Sequence, residues 1–325
     1  MHEGSWVVLA GGAGFLGSHL TRGLLNSNRN VICVDDASTG RWENLDGLPL
    51  DRVIRVPHDV RVPCIERVKE VLPPGGKVSA VCNFASPASP PAYLLRPIDT
   101  LEIGSIGTKN LIELALAHSA RFLHASTSEV YGDPLEHPQT ERYWGNVNPI
   151  GPRSCYDEAK RFGEALCSAY ERSRGLDLRL VRIFNTYGPR MQADDGRVVT
   201  NFISQALSGK PMTLYGSGKQ TRSFCFVDDL IRGLILLLDS DVKGPMNLGN
   251  PCEFNMIRLA QIILDQTNSK SSMVVSDLPV DDPTQRQPDI SRALELLGWS
   301  PVVDLDEGIQ RTIAWFSDNY SDRAA

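Results

Sequence analysis

The chain has 325 residues, 42% hydrophobic and 22% charged, with a formal net charge of −6 at pH 7. That balance fits a soluble globular protein of one large or two unequal domains. It gives no electrostatic case for nucleic acid or an anionic membrane as partner. The strongest apolar run, Leu234 to Leu238, falls far short of the roughly 20 residues that span a bilayer. The N-terminus enters a strand-like run at once, without room for a secretory signal. Seven cysteines (Cys33, Cys64, Cys82, Cys155, Cys167, Cys225, Cys252) are scattered without a Cys-x-x-Cys pair. Reduced thiols in a cytoplasmic compartment are expected, and no metal site.

Trp6 to Ala10 reads as a buried parallel strand. Gly11-Gly12-Ala13-Gly14-Phe15-Leu16-Gly17 follows and opens a helical pattern through Leu25. A Gly-x-x-Gly-x-x-Gly between strand and helix is a dinucleotide fingerprint: Gly11 for the tight turn, Gly14 for approach of a pyrophosphate, Gly17 for close helix packing. The second strand, Val31 to Val34, ends at Asp35, 18 residues after Gly17. An acid there accepts hydrogen bonds from the adenosine ribose and repels a 2′-phosphate, so NAD is expected over NADP. Asp36 adds to that repulsion, whereas Arg41 opposes it.

Strands are predicted over Arg52 to Val56, Val78 to Phe84, Arg121 to Ala125 and Leu178 to Phe184, and a helix over Thr108 to His118. His58-Asp59 after the third strand is expected to meet the adenine; Ala85 and the proline-rich loop Pro87 to Pro91 follow the fourth. Strands alternating with helices imply an α/β Rossmann-type doubly wound parallel sheet. The expected division is a dinucleotide-binding domain over residues 1–190, to which some later segments return, and a smaller substrate-binding portion over 191–325. That portion carries helical stretches over Val199 to Leu207, Asp229 to Leu238 and Met256 to Gln266. With the turn before it, it supplies a basic patch from Arg190, Arg197, Lys210, Lys219, Arg222 and Arg286.

Ser154 to Lys160 places Tyr156 and Lys160 one turn apart on a helix face. An ammonium beside a phenol favours the phenolate, which can take a proton from a sugar hydroxyl. Cys155 is read as packing.

Together, Gly11-x-x-Gly14-x-x-Gly17, Tyr156-x-x-x-Lys160 and Thr127 resemble the extended short-chain dehydrogenase/reductase family. The resemblance runs nearly end to end and is strongest to its branch that decarboxylates UDP-glucuronate. The carrying segments are Ala85 to Pro91, Thr127 to Pro134, Tyr143 to Arg153, Gln220 to Phe224, Asn247 to Pro251, and Asp281-Asp282-Pro283 followed by Arg286 and Pro288 to Ile290. It implies recycled NAD, held by Gly11, Gly14, Phe15, Leu16, Gly17, Asp35, Asp59, Val60, Ala85, Tyr156 and Lys160. It implies C4 oxidation with Tyr156 as base and Thr127 orienting the C4 oxygen. The resulting β-keto acid then loses carbon dioxide, and re-reduction at C4 yields UDP-xylose. Ser128 stands where the similar 4,6-dehydratases carry an aspartate that protonates a departing hydroxyl. Glu129 and Arg222 are implied at the C5/C6 end, with Arg222 on the carboxylate and Glu129 opposing it or serving C5 protonation through water. Tyr93, Asn185, Arg190, Tyr215, Gln220, Arg222 and Arg286 are implied substrate ligands, with Arg286 on the diphosphate. A homodimer is implied, built on the Thr108 helix and the tyrosine helix. A UDP-glucuronate 4-epimerase, a UDP-apiose/UDP-xylose synthase-like enzyme and a silent NAD-binding protein are the alternatives.

Four features depart from the family pattern, one of them the segment Asp36-Ala37-Ser38-Thr39, which bears on the adenosine contacts. Gly104 and Asn83 replace an asparagine and a histidine, which puts any proton relay through position 104 in question. Residues 71–79 look like a surface insertion.

Overall fold

The computed structural model describes residues 5–216, 218, 220–277 and 285–320; Lys219 and Asp281-Asp282-Pro283 lie outside them. Seven strands form one parallel sheet: β1 (Trp6–Ala10), β2 (Asn30–Asp35), β3 (Val53–Pro57), β4 (Val78–Asn83), β5 (Arg121–Thr127), β6 (Leu178–Ile183) and β7 (Pro245–Leu248). Their spatial order is β7-β6-β5-β4-β1-β2-β3. The strands are apolar on both faces because both faces are covered. Val7 and Leu9 enter one buried cluster; Trp6, Val8 and Ala10 enter the other. This is the near-continuous hydrophobic strand that a parallel sheet requires. β7 comes from beyond residue 190 and pairs with β6.

The chain builds β2 and β3 on one side of β1, then crosses to β4 on the other. Where strand order reverses, the loops after β1 and β4 part, leaving the crevice in which such sheets bind ligands. Helix α1 (Phe15–Asn26) follows β1. A helical run from Pro97 reaches Ala117, ending in α2 (Thr108–Ala117), with a π-helical turn at Ile103–Gly107. Helix α3 (Ser154–Arg174) carries the tyrosine and lysine. Pro73 to Gly75 form an exposed turn closed by the Gly76 amide on the Pro73 carbonyl, 2.8 Å.

Beyond residue 190 the chain packs helices Val198–Leu207, Met256–Thr267 and Leu305–Tyr320 with two-stranded ribbons Met212–Tyr215/Met273–Ser276 and Thr221–Ser223/Glu253–Asn255. The second ribbon brings Arg222 to the wall of a cavity at the end of β5, and Arg286, from the segment after the ribbons, reaches the residues that follow β5. Among the described residues, no helix is long and apolar enough to cross a membrane, and no side-chain cluster could hold a metal ion.

The glycine at position 104 has a structural reason. It lies in the π-helical turn, where a Cβ would stand 2.7 Å from Ala159 Cβ and 3.0 Å from the Ala159 carbonyl. Backbone there rests directly on the tyrosine–lysine helix, so a side chain meets α3. Asn83 donates to Thr108 Oγ1 at 3.1 Å. Gly104→Ala is expected to destabilise the fold by about 1–3 kcal/mol through overpacking and to lower kcat by shifting Tyr156. Thermal melting and steady-state rates check both.

Candidate active site

The crevice at the sheet's reversal point has two parts. The first is lined by Gly11, Gly14, Asp35, Asp59, Val60 and Ala85, among others. Helix α1 begins at Gly14 with no side chain capping it and no acid in its first turn, leaving its amide groups and positive end for an anion. Gly17 lets this helix approach: a Cβ there would stand 2.0 Å from the Gly11 carbonyl oxygen. The Asp35 carboxylate accepts from the Ala13 amide at 2.9 Å and the Ala37 amide at 2.8 Å. It thereby ties the glycine loop to β2 while its remaining lone pairs stay available to a ribose. Asp59 is held by Arg61 at 2.7 Å. Phe15 does not line the cleft; its ring packs edge-on to His19. A pyrophosphate with an adenosine ribose fits these donors and acceptors.

The second part is a cavity of about 760 Å³, ample for a nucleotide sugar by the usual size of ligand pockets. Leu16, Thr127, Ser128, Glu129, Tyr156, Lys160, Tyr93, Asn185, Tyr215, Gln220, Arg222 and Arg286 all line it. Arg190 does not. The chain reverses after Gly188 and Arg190 takes a left-handed conformation, φ 69°. That places its guanidinium near His19 and Arg22 on α1 and near Asp228, which corrects its expected place among the substrate ligands.

Tyr156 is 7% exposed. It is hydrogen-bonded to Thr127 and stacks on Tyr93 with ring centroids 5.0 Å apart and planes 11° from parallel. Burial pushes its phenol up to about 12, opposed by the Thr127 bond and the nearby Arg197 charge. Lys160 Nζ donates to the Ala125 carbonyl at 3.0 Å and lies 5.8 Å from the Tyr156 ring centroid. Burial lowers it to about 8. Thr127 and Arg197 favour the phenolate; Lys160, bonded to the Ala125 carbonyl at the end of β5, stands 5.8 Å from the ring centroid. Cys155 is buried between Tyr93 and Tyr156, in the packing role expected of it.

Beside this pair stands an ionic cluster. Glu129 accepts from Arg153 at 2.7 Å and from Arg286 at 2.9 Å. Arg286, 2% exposed, also donates to Ser128 Oγ at 2.8 Å and the Gly132 carbonyl at 2.9 Å. Its buried Nε has no partner among the described residues. Burial pushes the Glu129 carboxyl up, yet the two guanidiniums outweigh this and hold it near 2. Arg286 is thus engaged with the residues after β5. Arg222, on the strand Thr221–Ser223, stands across the cavity with Asn185, Tyr215 and Gln220.

Two site residues went unrecognised from sequence. Arg153 lies three residues before Tyr156, a spacing that puts both on one helical face. Arg197 was counted only within a general basic patch, yet it lines the cavity, is ion-paired with Asp195 at 2.7 Å through Nη2, and acts electrostatically on Tyr156.

The family model described as the NAD dependent epimerase/dehydratase family matches residues 7–249, and the chain belongs to that family. The chain is 48% identical over 311 residues to UDP-glucuronic acid decarboxylase 1 of Xenopus tropicalis, covering 95% of this chain and 72% of that protein. It is 49% identical over 313 residues to UDP-glucuronic acid decarboxylase 1 of Arabidopsis thaliana, covering 95% and 69%. Among solved structures it is similar to a UDP-glucose 4-epimerase from Thermotoga maritima with UDP-glucose (TM-score 0.87, 26% identity, 97% and 99% of the two chains). It is likewise similar to a dTDP-glucose 4,6-dehydratase from Streptomyces venezuelae with NAD bound (TM-score 0.86, 28% identity, 97% and 98%). The family resemblance and the Rossmann-type sheet expected from sequence are both borne out.

Proposed function

We propose that this protein is an NAD-dependent carboxy-lyase that converts UDP-glucuronate to UDP-xylose. One observation carries the reading. A phenol–hydroxyl pair for C4 chemistry, Tyr156 with Thr127, stands beside a cluster with two arginines to one ionised carboxylate, Glu129. The first suits an alcohol to be oxidised; the second offers net positive charge to a sugar acid. The similarity to UDP-glucuronic acid decarboxylases over 95% of the chain supports the same substrate. The absence of an acid at position 128 argues against the dehydratase chemistry that the shared fold alone would allow.

NAD bound in the glycine-lined cleft supplies and recovers the oxidising equivalents at C4, so the net reaction is redox-neutral. Tyr156, as phenolate, accepts the C4 hydroxyl proton, and Thr127 holds that oxygen. Once C4 is a ketone, the C6 carboxylate lies β to it and leaves as carbon dioxide. The electrons pass to the C4 oxygen, where the Thr127 and Tyr156 hydroxyls stabilise the enolate. Arg153 and Arg286 neutralise the carboxylate in the ground state. Asn185, Tyr215, Gln220 and Arg222 hold the UDP portion, for which residues 191–325 supply most of the surface. Lys160 binds the nicotinamide ribose.

A homodimer belongs to this reading. The helical run from Pro97 packs on α3, and the two leave Ile98, Ile106 and Phe162 exposed, apolar side chains that a second copy would cover. A cytoplasmic site is consistent with seven free thiols. Incubation with UDP-glucuronate tests the function: a pentose nucleotide, one equivalent of carbon dioxide and no net NADH are expected. A hexuronate epimer, a branched pentose or no turnover overturns it.

A further inference from the structure

Oxidation at C4 needs Thr127 held against Tyr156, and a misplacement of about 1 Å at such a contact can cost about a hundredfold in rate. Yet Thr127 ends a strand that is only half supported. Past His124, β5 has no further pairing with β4 and is held by β6 alone, through Ala125 with Val181, Ser126 with Arg182 and Thr127 with Ile183. The chain then leaves the sheet in a tight turn, Ser128–Tyr131, that carries Ser128 and Glu129. A strand end paired on one side opens readily unless side chains hold it.

One ion pair holds this end. Glu164 lies on α3 at the spacing that continues the stripe of Tyr156 and Lys160. Its Oε1 accepts from Ser126 Oγ at 2.6 Å and from Arg182 Nε at 2.9 Å, and its Oε2 accepts from Arg182 Nη2 at 2.8 Å. Ser126 and Arg182 are register partners on neighbouring strands, so one carboxylate ties both strands to the tyrosine helix. The bidentate pairing fixes the carboxylate's plane as well as its place. Arg182 also reaches the far end of the turn. Its Nη1 donates to the Tyr131 hydroxyl at 3.0 Å, and the guanidinium lies 4.9 Å from that ring's centroid. Tyr131 in turn donates to Asn247 Oδ1 on β7 at 2.7 Å.

We propose that Glu164, acting through Ser126 and Arg182, is the positioning residue that sets the Thr127–Tyr156 contact on which C4 oxidation depends. The inference rests on the C4 chemistry of the reading above. Glu164 and Arg182 are not part of the cavity wall, whereas Ser126 is. Glu164 therefore moves no proton and meets no substrate; it acts by where it holds β5.

The geometry around Thr127 shows what that hold secures. Three consecutive residues of β5 each meet a different residue of the same α3 stripe. The Ala125 carbonyl meets Lys160, Ser126 meets Glu164, and Thr127 meets Tyr156. Thr127 Oγ1 accepts from the Glu129 amide at 3.2 Å, which leaves its one hydrogen for the Tyr156 oxygen. That alignment needs both the strand end and the turn in place. The Glu164–Arg182 pair fixes the first at Ser126 and the second at Tyr131. Both side chains of the pair are largely buried, 15% and 12% exposed, so the hold is little screened by solvent.

Ser126→Ala in the NAD-loaded enzyme tests the idea, because it removes one hydroxyl and leaves the Glu164–Arg182 pair whole. Two readouts are taken: the single-turnover rate of transient NADH formation with UDP-glucuronate, and amide hydrogen exchange of the peptide spanning residues 125–131. Exchange should quicken and the NADH rate should fall roughly tenfold, about the worth of one hydrogen bond to a charged group. KM for UDP-glucuronate and NAD content should stay near the wild-type values, a split that a general loss of stability would not produce. Glu164→Ala cuts both links and is expected to cost on the order of a hundredfold in the NADH rate. Combined with Ser126→Ala it should lose no more than alone, since the two changes break the same link. If Glu164→Ala does not fold, Ser126→Ala decides by itself. An unchanged NADH rate in Ser126→Ala, or losses that add in the double variant, overturn the proposal. A wild type that forms neither transient NADH nor pentose overturns instead the reading beneath it.

Discussion

Glu129→Gln is expected to lose carbon dioxide release by at least a hundredfold while still carrying NAD. Glutamine keeps the size of the side chain and removes the charge that Arg153 and Arg286 share at 2.7 and 2.9 Å. Two guanidiniums are then left facing each other in a largely buried site. Breaking a buried ion pair by removing one partner costs about 3–5 kcal/mol, so melting temperature should fall along with rate. The pH dependence gives an independent check. Arg286 and Arg153 outweigh burial and hold the Glu129 carboxyl at about 2 in the folded chain, against an ordinary value of 4.5. Its contribution to stability is therefore complete above about pH 4.5 and lost as pH falls from there toward 2. In Glu129→Gln that acid-side loss should be smaller, measurable by denaturation at about pH 7 and about pH 3. NAD content after purification separates the two faults: the glycine cleft is built from other residues and should retain it. A variant with normal carbon dioxide release would remove Glu129 from the chemistry.

Tyr156→Phe should be the more damaging to turnover, with a loss of 10²–10⁴-fold, the usual contribution of a positioned general base. The ring stack on Tyr93 survives the change, as does burial, so folding should be little affected. Because the wild-type phenol is pushed up to about 12, only a small fraction is phenolate at neutral pH. The chemical step should accelerate as pH rises toward that value, and in the phenylalanine variant this dependence should disappear. Stopped-flow absorbance for transient NADH checks the point directly: the transient should be absent while UDP-glucuronate still binds. A transient of normal amplitude would assign the C4 proton to another group.

Much of this was legible in the linear chain because the fold is written in local patterns. A buried parallel strand is apolar throughout, and the glycine turn into a helix has one structural use, so β1, α1 and Asp35 could be placed by inspection. Tyr156 and Lys160 follow from helical spacing. Partners distant in sequence could not be read this way. Nothing local to Arg286 says that it reaches back to Ser128 and Glu129, across more than 150 residues; its guanidinium suited a diphosphate equally well. Arg190 was misplaced because its neighbours, His19 and Arg22 on α1 and Asp228, lie far from it in sequence. The carbonyl at the end of β5 that the Lys160 ammonium meets was equally invisible in the local spacing.

The long reach of Arg286 also bears on how the protein comes into being. The glycine cleft needs only the first four strands, all within the first third of the chain. The clamp on Glu129 must wait for residue 286 to leave the ribosome and dock. Synthesis is vectorial and domains close in the order they emerge. The lining of the glycine cleft is thus synthesised well before the second arm of the clamp, and until the last stretch arrives Glu129 has one guanidinium rather than two.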